Sequence, residues 1–207
     1  YLLPIKRRWI GLLFSSLLFY ILTMKSLVVV VLFTTATIYL GARVIEQFNE
    51  TFKLKKKELD RAARKELKNK TTTKIRYVIA FLCFINFGIL FVTKYFNFFG
   101  ENINALFNAL HIPAQIPFLN IFLPLGISFY TLSAISYVTD VARGVCKVER
   151  NYLRLLLFLI FFPVITEGPI SRYGQLGEEL KAEHRFDYKQ FCFGAQLITW
   201  GLFQKVL

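Results

Sequence analysis

Asp140 and Arg143 stand three residues apart at the inner end of an apolar stretch, so on a helix they share one face. Ionised groups at or near membrane depth are costly to keep, which makes them candidates for a functional site. A plainer reading is that the two pair with each other at headgroup level. Thirty residues on, the run Glu167-Gly168-Pro169-Ile170-Ser171-Arg172 forms a second cluster. Gly168 permits backbone angles closed to other residues, and Pro169 fixes φ and removes a donor. Together they predict a rigid corner able to aim Glu167 and Arg172 at a common point. The fork of Arg172 suits a phosphate or carboxylate, as on a thioester donor, but also suits anchoring to lipid phosphates. The first cluster closes the stretch LPLGISFYTLSAISYVTDVARG, which sets Ser128, Tyr130, Thr131, Ser133, Ser136, Tyr137 and Thr139 among its hydrophobes. Hydroxyls this dense between two Gly/Pro breaks predict a polar cavity, with Ser128, Tyr130, Asp140, Arg143, Glu167, Gly168, Pro169 and Arg172 lining or bracing it.

Other chemistry finds no foothold. His111 and His184 are the two histidines, and neither has a Ser, Cys or acid at a spacing that makes a relay. Cys83, Cys146 and Cys192 lie far apart, so they imply neither a metal site nor a disulfide framework and read as inert thiols. No GxSxG, HExxH, Walker or CxxC pattern occurs, and no metal is expected.

The elements that must position these residues are apolar helices. The chain has 207 residues, 55% hydrophobic and 17% aromatic, with 23 Phe. Its apolar residues come in runs of the length needed to cross a hydrocarbon core about 30 Å thick. Alternating strands of the outer-membrane type are absent. The fold class is therefore all-α: a polytopic integral membrane protein of about six apolar segments, one of them re-entrant, with an amphipathic interfacial helix. Spans are expected near 9–24, 27–45, 76–98 and 119–138. The run 155–165 is short for a crossing and so reads as re-entrant, buried in protein. The interfacial helix is expected over 173–181, and another span starts near Phe191.

Charge orients this arrangement. The surplus is large, 26 Lys and Arg against 13 Asp and Glu, a net +13. It sits in connections, so membrane topology explains it better than nucleic acid, and no nucleic-acid partner is expected. Residues 43–76 hold twelve Lys or Arg against five acids and are assigned to the cytoplasm. Phe48, Phe52, Leu59, Ala63 and Leu67 fall on one helical face there, which predicts a helix lying along the lipid headgroups. Residues 100–118 carry one acid and no Lys or Arg, which fits the outer face, with Asn108 to Pro117 read as a broken loop. The location implied is the bacterial cytoplasmic (inner) membrane, multi-pass, with membrane lipids as immediate partners.

Four stretches in order, NFGILFVTKYFNFF, LPLGISFYTLSAISYVTDVARG, FFPVITEGPISRY and GLFQKVL, resemble the membrane-bound O-acyltransferases, above all the bacterial alginate O-acetylase-like branch. The opening YLLPIKRRWIGLLFSSLLFY is similar to that branch's early helices. The resemblance implies that residues 1–207 are the N-terminal part of a single acyltransferase domain, with a funnel through a thinned membrane. It implies transfer of an acyl group, acetyl first, from a cytoplasmic donor to hydroxyls of an extracytoplasmic cell-surface polysaccharide. No cofactor is implied; the donor, acetyl-CoA or a carrier-bound thioester, is a substrate. A periplasmic or cell-surface acetyltransferase is a further expected partner.

The family's catalytic histidine, a general base on the acceptor hydroxyl, is expected beyond Leu207. Neither His111 nor His184 matches its motif, so these residues alone are expected to be inactive. A sister branch transfers D-alanine to teichoic acid from a carrier protein and usually has an acid where Ser171 stands, which favours acetylation. The competing classes are a transporter or flippase half and a structural subunit of a polysaccharide export complex. No internal repeat is evident, which counts against the transporter.

Overall fold

The computed structural model describes residues 4, 7–56, 60–118, 125–165, 168–183 and 186–206. Every regular element among them is helical. α1 (Arg8–Met24) and α2 (Val28–Lys55) form a hairpin through a single 3-10 turn at Lys25–Leu27. α3 (Arg61–Lys94) returns along α2, and α4 (Phe96–Ala109) continues from its end. α5 (Ile127–Arg143), α6 (Tyr152–Ile160), the four-residue α7 (Phe162–Ile165) and α8 (Tyr188–Val206) follow. α2 and α3 are each long and apolar enough to cross a membrane, and α1 is a shorter apolar helix. Much of the apolar surface faces outward, as in Phe84 at 79% exposed and Leu22 at 71%. Water penalises such a surface and lipid does not. The chain is a membrane protein.

Periodicity explains which faces are buried. On α2, Val31, Thr34, Thr35, Ile38, Gly41, Ala42 and Ile45 are buried, the three-and-four spacing of one helical stripe. That stripe packs on α5, α3 and α6. α1 offers a narrower stripe, Leu13, Ser16 and Tyr20, to α6. α6 has no polar face, and 155–160 are buried all round, as expected of a helix enclosed by others. At about 1.5 Å per residue its nine residues reach only about 14 Å, well short of a bilayer. It starts where Asn151 caps it, the side chain accepting from the Leu153 amide at 2.9 Å. It ends where Phe161 turns to ψ 109°, two residues before Pro163.

Several boundaries differ from the sequence-based expectation. The helix expected along the headgroups at 43–76 is replaced by two antiparallel helix ends, since α2 stops at Lys55 and α3 begins at Arg61. Of the apolar stripe that predicted a surface helix, Phe48 and Phe52 lie against α3, Ala63 and Leu67 stand on α3 itself, and Leu59 lies outside the described residues. Phe48 lies under the Lys74 ammonium at 5.9 Å, and Phe52 shares a groove with Ile75 and Ile79. At 173–181 the expected interfacial helix is a π-type turn, Tyr173–Gly177, with a short continuation. It buries Tyr173 and Gly177 in the protein. The expected broken loop near Pro117 is present, with His111 at φ 55° followed by extended chain. The Asn104 side chain clamps it, donating to the Ile116 carbonyl (2.9 Å) and accepting from its amide (2.7 Å).

Gly126 starts α5 in the left-handed region, φ 68°. A Cβ there would overlap the Ile165 carbonyl at the end of α7. Gly144 ends α5 at φ 73°, but nothing lies within 4 Å of its would-be Cβ. The two glycines separate backbone strain from steric conflict. Gly144→Ala should cost roughly 1–2 kcal/mol, the left-handed penalty alone. Gly126→Ala should cost about 3 kcal/mol or more, because penalty and overlap combine. Thermal unfolding of both variants in detergent checks this, and equal losses would remove the packing argument.

Candidate functional site

Asp140 and Arg143 project from the last turn of α5 in different directions. Asp140 is buried, at 7% exposed, whereas Arg143 is exposed, and no ion pair joins them. The expected pairing at headgroup level is therefore not formed. Arg143 instead borders a groove of about 550 Å³ between α2, α3 and α5, together with Thr139 from its own helix.

At the other end of α5, Ser128 lies 3.5 Å from the Lys94 ammonium at the end of α3. Tyr130 is buried, and its hydroxyl lies beside that of Tyr20, which donates to the Leu125 carbonyl at 3.3 Å.

Gly168 is packed so closely that a Cβ would sit 2.6 Å from the Val164 backbone. Pro169 and Arg172 are exposed beyond it, and Glu167 lies outside the described residues, as does His184. Arg172 ends the extended segment before the π-type turn, and its carbonyl accepts from the Gln175 and Leu176 amides.

The residues that hold this region together were not singled out from sequence. Glu149, 8% exposed in the connection between α5 and α6, accepts three hydrogen bonds. They come from the Tyr173 hydroxyl (2.6 Å), the Lys181 ammonium (3.2 Å) and the Asn151 amide (2.9 Å). Its own amide donates to the Tyr137 hydroxyl at 2.9 Å. The rings of Tyr137 and Phe158 pack on Tyr173 at 4.8 and 5.1 Å, and Lys181 lies over the same ring at 5.3 Å. Two more tyrosines tie the neighbouring backbone to α2. Tyr39 donates to the Arg150 carbonyl and Tyr152 to the Leu32 carbonyl, both at 3.0 Å. Arg150 adds an ion pair to Glu46 at 3.1 Å. The available signal was a lone carboxylate among Lys147, Arg150 and Arg154.

Electrostatics follow from these contacts. Burial pushes the Glu149 carboxyl up. The bonds from Tyr173, Asn151 and Lys181, with the Lys181 charge, outweigh it and hold the carboxyl below its ordinary value. Burial and the Glu149 contact push the Tyr173 hydroxyl well above the phenol range, so it remains a donor. Burial also pushes the Cys146 thiol up to about 11, consistent with an inert cysteine. Among the described residues no group of His, Cys, Asp and Glu could hold a metal ion.

Because the Glu149 carboxyl is depressed in the folded state, the stability it contributes is present above the ordinary Glu value, about 4.3. It is lost as pH falls through the folded value. Tyr173→Phe should cost about 1.5–3 kcal/mol near neutrality by removing a hydrogen bond to a charged acceptor. Thermal unfolding against pH should show a shallower acid limb in Glu149→Gln than in the parent. Superimposable acid limbs would show that Glu149 does not govern it.

No family model matches the sequence, and no solved structure matches it. Curated proteins do. The chain is 33% identical over 132 residues to the probable alginate O-acetylase of Pseudomonas syringae pv. tomato, covering 62% of this chain and 24% of that protein. The peptidoglycan O-acetyltransferase of Helicobacter pylori is 26% identical over 148 residues, covering 59% of this chain and 27% of the relative. The teichoic acid D-alanyltransferase of Bacillus subtilis is 33% identical over 85 residues, covering 40% and 22%. The chain thus spans about a quarter of the length of the curated relatives it matches. These relatives agree with the resemblance carried by the motifs: over about 60% of its length the chain is similar to proteins named as O-acetylases, and over a shorter stretch to a D-alanyltransferase.

Proposed function

We propose that the protein carrying this chain is a membrane O-acyltransferase of cell-surface polymers. It moves an acyl group, acetyl in the first reading, from a cytoplasmic thioester donor to hydroxyls of an extracytoplasmic polysaccharide. The observation that carries this reading is the similarity to alginate O-acetylases at 31–33% identity over about 60% of the chain. In the reaction the acceptor oxygen bonds to the thioester carbonyl carbon, and the carbon–sulfur bond breaks. The thiol leaves, and the hydroxyl proton passes to a general base. That base is assigned to a histidine outside these residues. His111, in a left-handed turn near the expected outer face, does not take the role.

Within this reading the chain forms the N-terminal part of one acyltransferase domain in the bacterial inner membrane, crossing it several times. α6 and α7 form the re-entrant pair. Ser128, Tyr130, Asp140, Arg143, Glu167, Gly168, Pro169 and Arg172 line or brace the donor path. Two features support that assignment: the buried Tyr130 near the start of α5 and the exposed Arg172 beyond a Gly-Pro corner. A second reading, D-alanyl transfer to teichoic acid, is favoured by the Bacillus subtilis relative.

The experiment is mass spectrometry of the surface polymer from cells making the full-length protein with or without Arg172→Ala. Acetyl esters are expected, and D-alanyl esters would select the second reading. Arg172→Ala should lower transfer on the order of tenfold at limiting donor, the scale of one lost charge-assisted contact. The protein level and unfolding temperature should stay unchanged. Unchanged transfer would remove Arg172 from the donor path. Uptake of polymer by proteoliposomes without any ester product would overturn the enzymatic reading in favour of a transporter.

A further inference from the structure

We infer that the groove between α2, α3 and α5 is a binding site for the headgroup of an anionic phospholipid. Its volume is about 550 Å³. The polar wall carries three cations, Lys68, Arg76 and Arg143, with Asn49 and three threonine side chains between them. No carboxylate lines it, and no ion pair neutralises any of the three cations among the described residues. Elsewhere on these helices cations do have partners, as in Arg43 with Glu46 and Lys70 with Glu66. The groove is therefore a local concentration of unspent positive charge lined by hydroxyl and amide groups, the complement of a phosphodiester.

Two observations favour a lipid over a soluble phosphate. The first is depth. Arg76 is the last charged residue before the uncharged run 77–93 of α3, and it therefore marks the membrane boundary. The second is the floor. Phe52, Ile75, Ile79 and Ala142 line the same groove, and they suit the glycerol and first acyl carbons better than a free anion. Juxtamembrane cations gain affinity from anionic headgroups in just this setting. The inference does not depend on acyl transfer and survives if that reading fails.

The test is native mass spectrometry of the full-length protein in a neutral detergent, titrated with phosphatidylglycerol, phosphatidylcholine or coenzyme A. Phosphatidylglycerol should bind at least tenfold more tightly than phosphatidylcholine. Lys68→Ala with Arg76→Ala should lower phosphatidylglycerol binding on the order of tenfold or more. Lys53→Ala with Lys55→Ala, an equal charge loss on α2 outside the groove, should leave it within twofold. Equal binding of the two lipids, or equal loss in both double variants, would overturn the site. Displacement of bound phosphatidylglycerol by coenzyme A, abolished by the Lys68/Arg76 pair, would reassign the groove to a soluble phosphate ester. The unfolding temperature of each variant shows whether any loss reflects binding or folding.

Discussion

Irregular backbone inside a membrane protein must find hydrogen-bond partners within the protein, since the hydrocarbon offers none. The connection 144–151 and the break at Phe161 are where this chain meets that constraint. Its solution is a set of tyrosines and one carboxylate. Tyr39 and Tyr137 pair with backbone groups of the connection, and Glu149 gathers Tyr173, Lys181 and the Asn151 amide at one point. Ser16 meets the Phe162 amide just past the break. Tyrosine suits the task because its ring packs like any core aromatic while its hydroxyl reaches a polar neighbour. A short helix such as α6 can then be enclosed on every side.

The same economy appears in the packing of α5. Its hydroxyl residues are mostly buried against neighbouring helices, with Thr131 and Ser133 allowing close approach. Thr139 returns its hydroxyl to the Ile135 carbonyl. Small polar residues at helix contacts are the ordinary currency of membrane packing, where apolar surface alone gives no preference for protein over lipid. Asn86 extends this to the middle of α3, bonding its own turn and reaching Thr37 across the contact with α2. The density of hydroxyls in 128–139 thus reflects helix contact.

Hydropathy and periodicity made the helices legible, and α1 falls within one residue of its expected start. Gly168 was singled out for its backbone freedom, whereas the structure uses its missing Cβ, since a side chain there would meet Val164. What sequence could not supply were contacts between distant segments. Nothing near Glu149 announces Tyr173, twenty-four residues away, or Lys181 beyond it. Asp140 and Arg143 show the converse error: a spacing that permits pairing does not enforce it when one side chain is buried and the other faces a groove. The basic stretch misled in a similar way. Its apolar residues are split between two helices, with Phe48 and Phe52 on α2 packing against α3, which itself carries Ala63 and Leu67.

α3 has 34 residues, roughly 51 Å of helix at 1.5 Å per residue. Tilted by as much as about 40°, it still rises about 39 Å, more than a hydrocarbon core of about 30 Å. The surplus is more helix than such a crossing needs, and the end of α2 packed along it makes this basic end of α3 a stiff support rather than a loose tail.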